Sequence, residues 1–215
     1  MDSAVALVQA YLRVNGYFTV AEFPVVEALR GSGHRTLTDL DILAFRFSGA
    51  GAPLVTAGRK TVDPDWHEPD ERLGAAGDAA DMIIGEVKEG AGRLNPGARN
   101  PIVLRAALVR FGCCSAEEAD DVVSHVLRRG HATTLGGHRI RMVVFGSTLD
   151  ERGSQRFHFI PLGHIGQWLQ SHITEHWHVL RQSQTKDPAL SFLLTLEKGR
   201  RGMARSNAIE PDQDG

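Results

Sequence analysis

Two segments of the sequence combine apolar runs with carboxylates, and they restrict the folds that the chain can adopt. Residues 39–47 read DLDILAFRF and residues 82–88 read MIIGEVK. Branched and aliphatic runs of this length are typical of the buried central strands of a sheet. Carboxylates near a sheet interior are costly to desolvate unless a cation neutralises them. The pattern therefore predicts a sheet that carries charged groups on two of its strands.

Residues two apart on a strand share a face, so Asp39 is expected beside Asp41, and Glu86 beside Lys88. Carboxylate oxygens of Asp41 and Glu86 suit Mg²⁺ or Mn²⁺, which keep several waters and accept a substrate phosphate as a further ligand. Two simpler interpretations stay open. Asp39 could cap exposed backbone at the start of a strand, and Glu86 with Lys88 could form an exposed strand pair.

Hydrophobic periodicity and turn residues predict the other elements along the chain. Ser115 and Glu118 have the spacing of a capping box, which favours a helix start at this point. Helices are expected over residues 4–14, 102–111, 115–129, 165–180 and 189–196, and further strands over residues 17–29, 131–135, 138–145 and 157–161. This order predicts a mixed α/β fold around one sheet.

The chain of 215 residues is expected to form a single domain over residues 1–197. Residues 48–80 are rich in Gly, Ala, Pro and acidic residues without a clear period, so we expect a long insertion there. Residues 198–215 are polar and are expected to form a frayed C-terminal tail.

The carboxylate pattern resembles that of the PD-(D/E)xK nuclease superfamily. The matching residues are Asp41 in DLDILA and the E-x-K of IIGEVKEG at Glu86 and Lys88. The segment AYLRVNGYFTV is similar to the passage from the first helix to the first strand in resolvase-like members. The Asp39-x-Asp41 pair is similar to the acid-x-Asp pattern of some members. The resemblance implies an α/β, restriction-endonuclease-like fold with a mixed central sheet flanked by helices.

The resemblance also implies a Mg²⁺-dependent (or Mn²⁺-dependent) phosphodiesterase that acts on nucleic acid, DNA in preference to RNA. Asp41 and Glu86 would bind the metal, with the main-chain carbonyl of Val87 as an extra ligand. Lys88 would orient the attacking water or stabilise charge on the phosphorane. Asp39 or Glu22 could replace a glutamate that some members place in the first helix and that this chain lacks there.

Two alternatives to a nuclease remain at this stage. A nuclease-fold module could bind nucleic acid or a protein partner without cutting, and a metal-free scaffold could use the 48–80 insertion as its contact in a larger assembly. A homodimer is compatible with the fold when both strands of a duplex are cut. Neither pattern nor composition decides between these possibilities.

Overall charge is a weak guide to the partner, because 24 Lys and Arg stand against 26 Asp and Glu for a net charge of −2. Positive charge is nevertheless concentrated in short segments at residues 128–131, 138–141 and 198–201. Phosphate-binding candidates in the first two segments are Arg128, Arg129, Arg139 and Arg141. An ordinary solvated face is the alternative for all four.

The remaining features concern location and a second metal pattern. No apolar run approaches the ~20 residues that a bilayer requires, and the start of the chain lacks a basic n-region. The two cysteines, Cys113 and Cys114, are adjacent and suit a reducing compartment. A cytoplasmic protein without membrane contact is therefore expected.

His172 and His176 have zinc-like spacing, but no metalloprotease motif accompanies them, so a polar helix face is favoured.

Overall fold

The structure, a computed structural model, describes residues 2–28, 31, 33–50, 68–149 and 156–207. Within these residues six strands and six α-helices form the fold. The strands are β1 (Phe18–Ala28), β2 (His34–Arg46), β3 (Asp81–Gly92), β4 (His131–Thr133), β5 (Arg139–Leu149) and β6 (His158–Pro161). The helices are α1 (Ser3–Val14), α2 (Pro101–Arg110), α3 (Ala119–Arg129), α4 (Leu162–Glu175), α5 (Trp177–Leu180) and α6 (Pro188–Asn207).

Local sequence signals account for several helix ends. The side chain of Asp2 accepts a hydrogen bond from the Ala4 N–H at 2.8 Å and caps α1. Asn100 caps α2 in the same way, and Pro101 occupies the first turn, where its missing N–H costs nothing. The predicted capping box forms, because Ser115 and Glu118 exchange hydrogen bonds of 3.1 and 3.3 Å. Regular α3 begins only after it, at Ala119.

The strands form one mixed sheet in the order β1-β2-β3-β5-β4, with β6 also paired to β5. Strand β2 runs antiparallel to both of its neighbours, β1 and β3. Strand β5 lies parallel to both β3 and β6 and antiparallel to β4. The crossover from β3 to β5 carries α2 and α3, as a parallel connection requires.

Helices cover both faces of the sheet, so the central strands are buried on both sides. One core cluster packs α2 and α3 against residues such as Leu43, Met82 and Ile84. The other packs α1 and α4 against residues such as Ile42 and Phe145. A mixed α/β fold with a helix-flanked sheet was the expectation from the order of elements, and the structure confirms it at this level.

Some boundaries differ from those predicted. Strand β2 begins at His34 because its first half pairs with β1 in an outlying hairpin. The helix predicted over residues 165–180 divides at His176 into α4 and α5. Helix α6 continues to Asn207, so the boundary predicted at Lys198 falls inside it, since Glu197 is buried and pairs with Arg200 and Arg201.

The predicted insertion at 48–80 lies partly outside the described residues, which omit 51–67. Its described part contains a short 3-10 helix at Glu71–Leu73, preceded by the buried Asp70. The Tyr11 hydroxyl donates to Asp70 at 2.6 Å, so this part of the connection is fastened to α1. The last residues of the predicted tail, 208–215, also lie outside the described residues. Among the described helices, none has the length and apolar character needed to cross a membrane.

Candidate active site at the fork between two strands

Strands β2 and β3 separate at the two carboxylates that the sequence singled out. Their pairing extends from Arg46 opposite Asp81 to Ile42 opposite Gly85. Beyond that point β2 continues beside β1 alone, whereas β3 continues beside β5. The next residue on each strand is Asp41 and Glu86, respectively. Both carboxylates therefore stand where the strands fork.

The side chain of Asp41 replaces the missing strand partner. Its Oδ2 accepts a hydrogen bond from the Val87 N–H at 2.8 Å, so a backbone donor that would otherwise lack an acceptor is satisfied. The Lys88 ammonium lies 2.6 Å from Glu86 Oε1 and 3.5 Å from Asp41 Oδ2. The structure thus brings together Asp41, Glu86 and Lys88, the three residues predicted to carry the chemistry.

Asn95 is a member of this site that the sequence analysis missed. Its Nδ2 donates to Glu86 Oε1 at 2.9 Å, while its Oδ1 accepts from the Ala98 N–H at 2.6 Å. A Cβ at Gly97 would lie 2.7 Å from Thr38 Cβ, so the Asn95 loop packs directly on β2. The signal available in the sequence was the Asn95-Pro96-Gly97 turn, in which asparagine commonly bonds to backbone further on.

Burial dominates the electrostatics of Glu86, whose side chain is only 1% exposed. Desolvation raises the pKa of Glu86, and the Asp41 charge adds to that effect, although hydrogen bonds from Lys88 and Asn95 oppose it. Partial burial of the Lys88 ammonium works to lower its pKa, but the hydrogen bond and charge of Glu86, with Asp41, outweigh burial and raise it. The ammonium therefore stays protonated between the carboxylates.

One oxygen of the site has no partner. Glu86 Oε2 is buried, and no hydrogen-bond donor reaches it among the described residues. A buried carboxylate oxygen without a donor is costly, and a bound water or a cation is a common partner of such an atom in a native fold. The donor set at the fork is oxygen only, which suits a hard divalent cation such as Mg²⁺ or Mn²⁺.

The other two proposed metal ligands are Asp39 and the main-chain carbonyl of Val87. Asp39 is exposed, lies opposite Pro24 on β1, and has no side-chain bond to Asp41, Glu86 or Lys88 in the described part of the chain. Side chains of β2 do not alternate regularly between the two faces of the sheet at this point. Leu40 and Ile42, two residues apart, pack in different core clusters, and Leu40 shares its cluster with Leu43. Val87 contributes its N–H to Asp41, and its carbonyl as a ligand stays a prediction. Within the described ranges, no group of three or more His, Cys, Asp or Glu side chains has a metal-binding arrangement.

The four predicted phosphate-binding arginines separate into three environments. Arg128 and Arg129 are exposed on the last turn of α3. Arg139 is half-buried and donates to the Gly74 carbonyl at 2.9 Å. Arg141 is buried, and its guanidinium bonds to both oxygens of Asp81, to the Leu73 carbonyl and to the Tyr17 hydroxyl.

This burial corrects the expectation for Arg141. With only 3% of the residue exposed and its donors engaged inside the protein, it cannot reach a nucleic-acid phosphate. Its charge is explained by Asp81, which is fully buried and needs a cation. The pattern HRIR was ambiguous because it does not reveal a carboxylate on the neighbouring strand.

The histidines with zinc-like spacing form an aromatic stack instead of a metal site. The ring of His172 lies 4.6 Å from that of His176 and stacks on Trp168 at 5.1 Å between centroids. Burial, together with the neighbouring His176, lowers the pKa of His172 to about 4. His176 is itself buried, so the expectation of a polar helix face is wrong for this residue.

Comparison of the chain with protein-family models, with curated proteins and with solved structures gives no significant match. The fold and the fork geometry are therefore the observations from which function is inferred.

Proposed function

We propose that this protein is a metal-dependent nuclease with a restriction-endonuclease-like fold, which hydrolyses phosphodiester bonds in DNA in preference to RNA. The observation that carries the proposal is the buried Oε2 of Glu86, which has no hydrogen-bond partner among the described residues and lies next to Asp41 and Lys88 at the strand fork. The resemblance to the PD-(D/E)xK superfamily supports it through the same three residues.

The residues at the fork fit a divalent cation. Asp41 and Glu86 would hold Mg²⁺ or Mn²⁺ through carboxylate oxygens, with Val87 as the proposed main-chain ligand and Asp39 as a more distant candidate. Such an ion, when bound, polarises a phosphate and lowers the pKa of a bound water.

The chain's own groups would perform the remaining work. Lys88 is 36% exposed, so its ammonium can reach solvent and donate a hydrogen bond to a phosphate oxygen as charge develops there. Asn95 would fix the orientation of the Glu86 carboxylate through its hydrogen bond to Oε1, as residues outside the coordination sphere commonly orient metal ligands. Arg128, Arg129 and Arg139 remain proposed contacts to nucleic acid. A cytoplasmic location and a homodimer or larger assembly also remain predictions.

One observation favours a second candidate function, a module that binds nucleic acid or a protein partner without cutting. The Lys88 ammonium is 2.6 Å from Glu86, so it already supplies a counter-charge to this buried carboxylate. In that case Lys88 would be a structural counter-ion and no cation would be required.

Cleavage assays separate the two candidates. We expect the wild-type protein to cut a labelled DNA substrate with Mg²⁺ or Mn²⁺, and to stop when a chelator is added. Asp41→Ala should abolish cleavage while the protein stays folded, and Glu89→Gln, an exposed carboxylate three residues beyond Glu86, should cut at the wild-type rate. Lys88→Ala should lower the rate by about 10²-fold if Lys88 acts only in the transition state.

Binding measurements complete the test. A nuclease predicts that Mn²⁺ and DNA affinities of Lys88→Ala stay within a small factor of wild type. Wild-type activity in Asp41→Ala would refute the site. Absence of metal-dependent cleavage over single-stranded and duplex DNA and RNA, combined with weaker DNA binding in Lys88→Ala, would establish the binding module.

A further inference from the structure

A second cleft, of about 380 Å³, lies at the opposite end of β3 from the fork. Arg139 of β5 lines the cleft and pairs with Asp81, the first residue of β3. Glu86 lies five residues further along β3, where it pairs with Val144. The charged and imidazole side chains that line the cleft are Arg129, His131, Arg139, Arg141, Arg156 and His158.

Close backbone packing builds one wall of this cleft. Gly130 ends α3 with a φ of 82°, and a Cβ at this position would overlap the carbonyl oxygen of Arg156. The Gly130 carbonyl also accepts a hydrogen bond from the Met142 N–H at 2.8 Å. The end of α3 is thereby held against both β5 and the residues before β6. Arg129 and Arg156 consequently line the same cleft.

Positive charge in the cleft exceeds the negative charge that compensates it. Asp81 is the carboxylate behind the cleft, and it already binds Arg141 at 2.8 Å. The Arg139 Nε lies at 3.8 Å from the same carboxylate. Arg129 and Arg156 have no carboxylate partner among the described residues, although Arg156 donates a long hydrogen bond of 3.4 Å to the Leu127 carbonyl. Among the described residues, no Asp or Glu lines the cleft.

The behaviour of His158 is consistent with a positive potential in the cleft. Burial lowers the pKa of His158, and the charges of Arg141, Arg139 and Arg72 lower it further. Its Nε2 is 2.7 Å from the Arg72 carbonyl, which holds the ring in place. The hydrogen bond to the Arg72 carbonyl works to raise the pKa of His158, but burial and the arginine charges outweigh it.

We infer that this cleft binds a phosphate group through Arg129, Arg139 and Arg156. Guanidinium groups bind phosphate oxygens in bidentate fashion, and a cleft lined by several of them without a carboxylate favours a dianion. The phosphate could belong to the end of a polynucleotide or to a free phosphorylated compound, since the chemistry is the same. Arg129 and Arg139 are also proposed contacts to nucleic acid, but the inference does not rest on cleavage, because none of the three arginines belongs to the fork.

Calorimetric titration with inorganic pyrophosphate tests the site. We expect saturable binding to the full chain in the presence of EDTA, and an affinity at least about tenfold weaker in Arg129→Gln and in Arg156→Gln. Both side chains are exposed, so both variants should fold. Arg110→Gln is the matched control, because Arg110 is exposed on the last turn of α2, as Arg129 is on the last turn of α3, but does not line the cleft. Its affinity should stay within twofold of wild type.

Lack of saturable pyrophosphate binding by the wild-type protein, or an equal loss in Arg110→Gln, would overturn the inference. A short oligonucleotide with and without a 5′-phosphate identifies the source of the group. Tighter binding of the phosphorylated form, lost in Arg156→Gln, would support a polynucleotide end. Equal binding of the two forms, together with saturable pyrophosphate binding, would support a free phosphorylated compound. The chelator excludes cleavage, so failure of the nuclease proposal would leave this result unaffected.

Discussion

At the scale of single residues, Glu86 depends on Asn95 for its position. Oε1 of the carboxylate accepts hydrogen bonds from Lys88 and Asn95, whereas Oε2 has no donor among the described residues. Asn95 is in turn fixed by the Ala98 N–H. A side chain that orients a metal ligand typically changes metal affinity by about 10- to 100-fold when removed.

We therefore expect Asn95→Ala to weaken Mn²⁺ binding by about tenfold or more, measured by calorimetry on the purified protein. Asn100→Ala is a suitable control, since Asn100 belongs to the same loop but caps α2. That variant should lose about 1 kcal/mol of stability and keep its Mn²⁺ affinity. Equal Mn²⁺ affinities in Asn95→Ala and the wild type would show that Asn95 does not position Glu86.

Gly85 is a second residue on which the fork depends. A Cβ there would overlap Ile42 Cγ2 and lie 2.9 Å from Phe145 Cε2, both in the buried core. We expect Gly85→Ala to lower the free energy of unfolding by about 2 kcal/mol, because core overpacking typically costs 1–3 kcal/mol. Gly90→Ala adds a Cβ with no atom within 4 Å, so denaturant unfolding should show a change of at most about 0.5 kcal/mol. Similar values for the two variants would contradict this account.

The sequence was informative about residues whose spacing fixes their neighbours. Lys88 follows Glu86 by two positions on a strand, so their contact could be predicted from the pleat alone. The contact of Asn95 with Glu86 could not be predicted, because it depends on how the loop after β3 folds back onto that strand. The pairing of Arg141 with Asp81 could not be predicted either, because it depends on which strands are neighbours in the sheet. Asp39 illustrates the limit of the pleat rule, since β2 departs from simple alternation near Leu40.

At the scale of elements, the buried pair Arg141–Asp81 connects four parts of the fold. Arg141 lies on β5 and Asp81 on β3, while Tyr17 precedes β1 and Leu73 ends the 3-10 helix. Removing one partner of a buried ion pair typically costs 3–5 kcal/mol, because the other charge is left uncompensated.

We expect Arg141→Met to destabilise the protein by about 3–5 kcal/mol in denaturant unfolding. Arg139→Met should cost about 1 kcal/mol or less, since Arg139 is partly exposed and 3.8 Å from Asp81. Adding Asp81→Asn to Arg141→Met should recover part of the loss, because the uncompensated charge is removed. A small effect of Arg141→Met would show that the pair is dispensable.

Helix α6 contains a pH-dependent element. Hydrogen bonds from Arg200, and then from Arg201, lower the pKa of Glu197 to about 2, below its ordinary value of 4.5. A carboxyl group with a lowered pKa in the folded state stabilises the fold above pH 4.5, and this contribution is lost as the pH falls towards 2.

The melting temperature of Glu197→Gln should therefore be below that of the wild type at pH 7, and the gap should shrink between pH 4.5 and 2. Glu175→Gln, at the exposed end of α4, should follow the wild-type curve. A gap that is constant over this pH range would mean that the Glu197 charge contributes nothing.

Glu197 also explains why the end of α6 was hard to predict. The segment after Lys198 is basic and glycine-containing, which by local propensity favours fraying. Glu197 pairs with Arg200 and Arg201 within α6. Arg201 also contacts the neighbouring helices, through a hydrogen bond of 3.3 Å to the Thr174 carbonyl of α4 and a cation–π contact with Trp177 of α5, 5.0 Å from the ring centroid. Tertiary contacts of this kind leave no periodic signal.

At the scale of the whole molecule, the alternation of strands and helices was sufficient to predict a mixed α/β fold. The apolar runs at residues 39–47 and 82–88 indicated buried central strands, and β2 and β3 each contribute side chains to the core clusters on both faces of the sheet. The order of the strands and the parallel pairing of β5 with both β3 and β6 were beyond the sequence pattern, because they depend on which crossover packs best against the sheet.

The fork has a mechanical consequence for the whole molecule. Beyond Ile42, β1 and β2 form a two-stranded ribbon, and such ribbons twist more readily than a full sheet. Asp41 belongs to the ribbon and Glu86 to the sheet, so the distance between the two carboxylates varies with the twist of the ribbon. The close packing of Gly97 on Thr38 acts as a brace that limits this motion. A large partner that binds the ribbon and alters its twist would thereby change the distance between the Asp41 and Glu86 carboxylates without contacting either of them.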